Sequence, residues 1–215
     1  HKGTESLHSD QSFVGGLAHR GRNGLFVMQI HGAERHSPAF RARKTCFFFD
    51  DRITCLGSNI ENDDPAHPVQ TNLFQKSLPT PGAPIVINAQ PQTRFPSQAT
   101  LDASQPNWII DTQSTGYVLP AGQKIAWARQ TQRHRDQTDK KEQQGDFATA
   151  WIDHGPAPKN AGYEYTILVK TTPERTAAFA QSMTTPAPPR PRPPARPSRP
   201  HRLRRPHPHL GLRPL

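Results

Sequence analysis

The feature that most constrains this chain is a succession of short apolar runs separated by Gly, Pro, Asn and Asp. Short runs rich in β-branched and aromatic residues predict β-strands. A helical pattern is limited to one short segment, Pro173–Met183. We therefore predict an all-β fold, a large antiparallel β-sandwich fragment. The predicted strands are Gly24–His31, Thr45–Phe49, Arg52–Leu56, Leu73–Leu78, Pro84–Asn88, Asn107–Asp111, Gly116–Leu119, Lys124–Arg129, Phe147–His154 and Tyr163–Lys170.

Composition divides the chain into three parts. Residues 1–11 are polar and are predicted to be an irregular segment, and residues 12–175 are predicted to be the β-sandwich domain. Residues 176–215 are predicted to be a disordered basic Pro/Arg-rich tail, because proline removes backbone donors and few apolar side chains remain. From residue 186 onward there are eight arginines and no acidic residue, so this stretch carries +8 of the formal net charge of +10.

Two interpretations of the basic tail remain open. It could be an arginine-rich arm that binds polyanions, either a sulfated glycan or nucleic acid. It could instead be the product of a shifted reading frame, since GC-rich DNA read out of frame encodes such a Pro, Arg, His, Ala and Leu mixture. In either case the basic charge belongs to the tail, so it does not indicate that the sandwich binds nucleic acid.

Several classes of protein are not supported by the sequence. Apolar runs are far shorter than the roughly 20 residues of a membrane-spanning helix, so we predict no membrane segment. The chain opens with His1 and shows no basic-then-apolar signal peptide. No phosphate-binding glycine loop or nucleophile motif is visible, and two cysteines are too few for a structural zinc site. We predict no cofactor and no metal.

The two cysteines flank a predicted hairpin. If Asp50–Asp51 is a two-residue turn, Cys46 lies opposite Cys55 in a non-hydrogen-bonded pair, with Cβ atoms about 4.5–5.5 Å apart. This distance allows a disulfide after a small adjustment. The alternative is a pair of reduced, buried thiols that act as small apolar groups.

Four ordered blocks carry a family resemblance. The blocks are Arg41–Asn62 (RARKTCFFFDDRITCLGSNIEN), Gly145–Tyr165 (GDFATAWIDHGPAPKNAGYEY), Gly116–Gly122 (GYVLPAG) and Gly24–Gly32 (GLFVMQIHG). Together they resemble the central β-domain of polysaccharide lyase family 8, and within it the broad-specificity chondroitin sulfate ABC lyases. In the first block we expect Gly57 to allow a turn after Leu56, and we expect Tyr163 and Tyr165 to pack structurally.

The resemblance implies a function for a larger parent protein. Family 8 enzymes cleave uronic-acid polysaccharides by β-elimination, so the implied partners are chondroitin sulfate, dermatan sulfate and hyaluronan. It also implies an upstream helical domain that carries the catalytic residues, and a secreted or periplasmic location. None of the catalytic motifs is present in this chain, so we assign it no catalytic residue and predict that it is inactive alone. The alternatives are a non-catalytic module that binds anionic polysaccharide and, with less support, nucleic-acid binding through the tail.

Other candidate residues are interpreted structurally. His31 and His154 each stand at a strand end before glycine, and we expect both to be solvated or hydrogen-bonded. We expect Trp108, Trp127 and Trp151 to pack in the core. Two further clusters are a polar turn with weak resemblance to a cation site and a basic loop that could contact sugar. The polar turn consists of Glu61, Asp63, Asp64 and His67. The basic loop consists of Arg133, His134, Arg135, Lys140 and Lys141.

Overall fold

The structure, a computed structural model, describes residues 11–33, 37–135 and 140–184. Within these ranges the regular secondary structure consists of thirteen β-strands and one helix, which confirms the predicted all-β fold. In the same ranges no helix is long and apolar enough to cross a membrane. The elements are β1 (Val14–His19), β2 (Asn23–His31), β3 (Arg41–Phe49), β4 (Arg52–Glu61), β5 (Pro68–Ser77), β6 (Ile85–Ile87), β7 (Gln90–Gln92), β8 (Ser97–Thr100), β9 (Asn107–Ile110), β10 (Gly116–Leu119), β11 (Ile125–Arg135), β12 (Glu142–Pro156), β13 (Ala161–Leu168) and α1 (Pro173–Thr184).

The strands form two antiparallel sheets of unequal size. The larger sheet has the order β1-β2-β3-β4-β13-β10-β9-β6-β7, and the smaller one has the order β5-β12-β11-β8. Consecutive strands pair as hairpins at the β1–β4 end, whereas β13 enters between β4 and β10. The larger sheet therefore joins segments that lie more than a hundred residues apart in sequence.

The inner faces of the two sheets share one apolar core. Ile109, Leu119 and Tyr117 of the larger sheet pack in the same cluster as Trp127 and Ile152 of the smaller sheet. Alternate side chains of each strand point inward, as expected for a sandwich with two packed sheets. This alternation is what confirms the β-sandwich prediction at the level of packing.

The outer end of the β3–β4 hairpin is less covered than its apolar sequence suggested. Phe48 and Phe49, beside the turn, remain 38% and 42% exposed. Phe26, paired across from Cys46 on β2, is 39% exposed. These three side chains lie outside the shared core cluster, so burial decreases toward this end of the larger sheet.

Helix α1 covers part of the outer face of the larger sheet. Ala180 is buried against a cluster that includes Trp108, Val118 and Leu168. The helix begins after Thr172, whose Oγ1 accepts a hydrogen bond from the backbone N–H of Arg175 at 3.3 Å. The predicted short helix is thus confirmed, and it crosses the domain boundary placed at 175 because its apolar side belongs to the sandwich. Residues 185–215, the rest of the predicted tail, lie outside the described residues.

A fully buried arginine connects three loop positions. Arg129 on β11 has no exposed surface, and its guanidinium donates to the backbone carbonyls of Arg94, Pro81 and Ala83 at 2.6–2.8 Å. Its Nε has no partner among the described residues. Burial lowers the pKa of this guanidinium. The carbonyl contacts hold the loops around β6 and β8 against the smaller sheet.

Three short strands were absent from the sequence prediction. Strand β1 contains two adjacent glycines, which weaken the strand pattern, and it forms by hairpin pairing with β2. Strands β7 and β8 are polar, and each joins a sheet through one neighbour, β6 or β11. Their conformation follows from pairing partners, which a local pattern does not contain.

The predicted hairpin register is confirmed. Cys46 pairs with Cys55, and Phe49 pairs with Arg52 on either side of the turn. The candidate basic loop lies on a second hairpin, since β11 and β12 pair as far as Arg135 and Glu142. The pairing of β12 with β5 ends at Phe147. From there toward the hairpin tip, within the described residues, the ladder consists of β11 and β12 alone.

Candidate functional site

A broad cavity lies on the outer face of the larger sheet, where β3, β4 and β13 run side by side. It has a volume of about 530 Å³. The β10–β11 loop borders it through Ala121 and Gln123. Its lining is polar or main chain at most positions and consists of Thr45, Leu56, Gly57, Ser58, Pro120, Ala121, Gln123, Gly162, Tyr163 and Glu164.

A second cavity of about 260 Å³ opens at the far ends of β2, β3 and β4. Its lining is almost wholly polar and includes two arginines and a histidine. The lining residues are Gln29, His31, Arg41, Ala42, Arg43, Asn59 and Glu61.

The two cavities adjoin and form one groove. Arg43 and Thr45 are two positions apart on β3, and their partners Ser58 and Leu56 are two positions apart on β4. Residues two apart on a strand share a face of the sheet. The groove (the surface formed by the two cavities) therefore continues across β2, β3, β4 and β13. It lies on the same face of the sheet as α1.

The groove has an arginine that is free to bind a ligand. The Arg43 side chain is exposed, and its guanidinium has no hydrogen-bond partner within residues 11–33, 37–135 and 140–184. Arg41 is different because its Nη1 donates to the carbonyls of Pro38 and Phe40 at 2.6 and 2.8 Å. Arg41 thus shapes the end of the groove, and Arg43 offers a planar set of donors to an anionic group.

Hydrogen bonds from the Gln123 side chain to the main chain of β13 fix the other end of the groove. Gln123 Nε2 donates to the carbonyl of Glu164 at 2.7 Å, and the N–H of Glu164 donates to Gln123 Oε1 at 3.0 Å. The β10–β11 loop is thereby fixed to β13 beside the cavity. A Cβ on Gly162 would lie 2.8 Å from the carbonyl oxygen of Gly57, so the two backbones approach closely here.

Of the two candidate histidines, only His31 lies in the groove. His31 Nε2 is 3.3 Å from Gln29 Nε2 at the polar end. His154 is half-buried on β12, and its Nε2 is 2.8 Å from Thr71 Oγ1. Burial lowers the pKa of His154, and the neighbouring Asp153 opposes this shift. The hydrogen-bonded structural role expected for His154 is confirmed.

The candidate acidic cluster folds as a turn. Asp64 accepts hydrogen bonds from the backbone N–H of Ala66 and from His67 Nδ1, both at 2.8 Å. The Ala66 contact, ahead of His67, lowers the pKa of the Asp64 carboxyl. Within the described ranges, no group of three or more acidic, His or Cys side chains is arranged to hold a metal ion.

The candidate tryptophans lie mostly in the interior. Trp127 is in the core between the sheets, and Trp108 is in the outer cluster under α1. Trp151 is half-buried. Trp108 also lines a cavity of about 360 Å³ beside α1, together with Asn88 and Pro106. The core role is therefore confirmed for Trp108 and Trp127.

The candidate basic loop is part of the β11–β12 hairpin and does not border the groove. Arg133 Nη1 lies 3.5 Å from Glu142 Oε1 on the paired strand, and both side chains are largely exposed. His134 Nδ1 is 2.8 Å from the carbonyl of Arg135. Lys140 and Lys141 follow at the start of the returning segment.

The two tyrosines face the core, as expected. Their ring centroids are 5.6 Å apart, and desolvation raises the pKa of both phenols. The neutral phenol of Tyr163 packs against Gly57 from the core side of the sheet. Sequence reasoning missed the groove's amides and hydroxyls, Gln29, Thr45, Ser58 and Gln123. Gln29, Thr45 and Ser58 lie inside the family blocks, but no local pattern marks them as contacts. Strand register brings them together.

The sequence comparison assigns this sandwich to a family. Residues 1–180 match the model described as polysaccharide lyase family 8, super-sandwich domain. The match covers most of the chain, and the chain belongs to polysaccharide lyase family 8.

Individual relatives agree with this assignment. The chain is 32% identical over 175 residues to the chondroitin sulfate ABC endolyase of Proteus vulgaris. The aligned region covers 80% of this chain and 17% of that protein. It is 36% identical over 167 residues to the chondroitin sulfate ABC exolyase of the same organism, covering 77% and 16% respectively. The chain thus spans about a sixth of the length of these relatives.

Solved structures share the fold. A chondroitinase AC lyase studied in complexes with oligosaccharides superposes with a TM-score of 0.66 at 28% identity, over 78% of this chain and 24% of that one. A Paenibacillus xanthan lyase superposes with a TM-score of 0.72 at 24% identity, over 83% and 18% of the two chains. The second similarity concerns the fold alone.

Proposed function

We propose that this chain is the supporting β-sandwich of a lyase that cleaves an anionic polysaccharide by β-elimination. The substrates proposed are chondroitin sulfate, dermatan sulfate or hyaluronan, and the proton-transfer residues are proposed to belong to an upstream helical domain of the parent protein. By itself the chain is expected to be inactive. The observation that carries this proposal is the family 8 super-sandwich match over residues 1–180.

The proposed role of the sandwich is to contact the polysaccharide through the groove. A uronate carboxylate or a sulfate ester accepts two parallel hydrogen bonds from a guanidinium. Arg43 is exposed and can supply them, while Thr45, Ser58 and Gln29 offer neutral donors and acceptors to sugar hydroxyls. A groove that runs across four strands suits an extended polymer better than a compact small molecule.

An activity measurement tests the first part. The full chain is incubated with chondroitin sulfate, dermatan sulfate and hyaluronan, and the ultraviolet absorbance of the unsaturated uronate product is followed. We expect no increase above buffer, with an intact chondroitin sulfate ABC lyase as the positive control. Formation of product by the purified chain would show that it contains its own active site and would contradict the proposal.

A binding measurement tests the groove. Arg43→Gln in the full chain removes one charge-assisted contact, and we expect about two- to fivefold weaker binding to immobilised chondroitin sulfate. Arg94→Gln is the matched control, because Arg94 is also exposed but lies between β7 and β8 and lines neither cavity of the groove. The basic tail contributes equally to both variants. Equal affinities of the two variants would exclude a special role for the groove.

The free arginine in the groove also favours a second candidate, a non-catalytic module that binds anionic polysaccharide. Such a module is expected to show salt-sensitive retention on a chondroitin sulfate column that persists after deletion of residues 186–215. Nucleic-acid binding through the tail predicts retention that disappears with this deletion. Because polymeric polysaccharides are encountered outside the cytoplasm, we extend the proposal to a secreted or periplasmic location.

A further inference from the structure

The two cysteines of the chain are positioned for a covalent bond. Cys46 on β3 lies directly opposite Cys55 on β4, and their Sγ atoms are 3.6 Å apart, with both thiols in the free form. This separation is van der Waals contact between sulfur atoms. Counting outward from the turn places the pair at a non-hydrogen-bonded position, where the Cα atoms are about 4.5 Å apart, within the range that disulfides span. A rotation of the side chains is sufficient to bring the sulfurs to bonding distance.

The surroundings of the two thiols differ in accessibility. Cys55 is only 5% exposed, whereas Cys46 is half-buried. Tyr165 on β13 is the other neighbour of Cys55, so Cys55 lies between two strands. Burial, ahead of the neighbouring Cys46, raises the pKa of the Cys55 thiol to about 11. An oxidant in solution therefore meets Cys46 first.

We propose that Cys46 and Cys55 form a cross-strand disulfide when the protein meets a low-molecular-weight disulfide such as oxidised glutathione. The proposal rests on the position of the sulfur atoms and is independent of the proposed function. It makes the hairpin a redox modification site on the larger sheet, near the groove.

The reaction proceeds by two thiol–disulfide exchanges. The Cys46 thiolate attacks one sulfur of oxidised glutathione, which forms a mixed disulfide and releases one glutathione thiolate. The Cys55 thiolate then attacks Cys46 Sγ, which forms the Cys46–Cys55 bond and releases the second glutathione thiolate. The two thiol protons pass to solvent or to the departing thiolates. Two electrons leave the protein, and one molecule of oxidised glutathione becomes two molecules of the reduced form.

A disulfide would stabilise the β3–β4 hairpin, whose turn end has little apolar packing of its own. Phe48 and Phe49 beyond the cysteines are more than a third exposed, so packing holds this end of the sheet less firmly. The turn also anchors other elements, since Arg22 pairs with Asp50 at 2.9 Å and Arg175 of α1 pairs with Asp51. A disulfide fixes the β3–β4 register and so holds both ion pairs in position.

Tryptic digestion of the full chain tests the proposal directly. The chain is equilibrated with oxidised glutathione, denatured in urea with iodoacetamide to block free thiols, and digested. Trypsin cuts after Lys44, Arg52 and Lys76, so the cysteines fall on separate peptides, Thr45–Arg52 and Ile53–Lys76. We expect one linked species, two hydrogen atoms lighter than the sum of the two peptides, which separates on reduction.

Two single variants test the order of attack. In Cys55→Ala, Cys46 remains available but cannot be resolved, so we expect a stable adduct heavier by one glutathione. In Cys46→Ala, the buried Cys55 is expected to remain unmodified over the same time. Failure of either variant to fold leaves the wild-type digestion as an independent test.

Two outcomes would overturn the proposal. One is recovery of both wild-type peptides separately and fully alkylated after equilibration with oxidised glutathione. The other is accumulation in the wild-type chain of the same glutathione adduct that forms in Cys55→Ala, because this would show that Cys55 does not attack the mixed disulfide.

Discussion

Gly57 shows how a single residue can have a role other than the one its sequence context suggests. Sequence reasoning expected it to allow a turn after Leu56, but Gly57 lies inside β4, with Tyr163 opposite it on β13. A Cβ at this position would fall 2.1 Å from the Tyr163 ring. Glycine is therefore required by the ring that packs over its Cα, and strand pairing supplies that ring from a distant part of the sequence.

We predict that Gly57→Ala destabilises the fold by about 1–3 kcal/mol, because the Tyr163 ring must move out of a packed position. The free energy of unfolding is measured by urea titration. Gly82→Ala is the matched control, since a Cβ there meets no atom within 4 Å, and we expect it to be nearly neutral. Equal effects of the two substitutions would show that the Tyr163 contact does not limit residue 57.

At the scale of elements, α1 depends on packing more than on its own propensity. Its apolar residues meet the outer sheet face through Ala180, and the ion pair of Arg175 with Asp51 ties its first turn to the β3–β4 hairpin. A helix of this length is marginal in isolation. We infer that packing of α1 against the outer sheet face around Trp108 keeps the helix folded.

We predict that Ala180→Asp releases α1 from the sheet, since a buried carboxylate without a partner is costly. Hydrogen exchange of the α1 amides should become much faster. The amides of β10 and β13, in the sheet beneath the helix, should still exchange slowly. Ala178→Asp is the control, because Ala178 is exposed on the same helix and carries the same change in helix propensity. Faster exchange of α1 in both variants would indicate that helix propensity, and not docking, decides its stability.

At the scale of the whole molecule, His154 links stability to pH. Burial lowers the pKa of His154 in the folded state, and Thr71 and Asp153 are its polar neighbours, with the Tyr163 ring 6.2 Å away. The unfolded chain takes up a proton near pH ~6.5, which the folded chain resists. The stability linked to His154 is therefore fully present above that pH and is lost as the pH falls below it.

We predict that the wild-type chain loses more unfolding free energy between neutral pH and mildly acidic pH than His154→Gln does. Glutamine can still hydrogen-bond to Thr71 but does not titrate. Urea titrations at a series of pH values above the range where carboxylates protonate provide the measurement. The same pH dependence in both proteins would mean that other groups carry the proton linkage.

Local sequence determined most of the strands and the β3–β4 register, because a period of two and a tight acidic turn are encoded by adjacent residues. The pairing of Cys46 with Cys55 follows from that turn alone. The family 8 blocks likewise lie within continuous segments. What only the tertiary structure decided is the insertion of β13 between β4 and β10, the docking of α1, and the groove, whose walls come from β2, β3, β4 and β13. Those features depend on which distant strands exchange backbone hydrogen bonds, and a residue's immediate neighbours along the chain do not specify that choice.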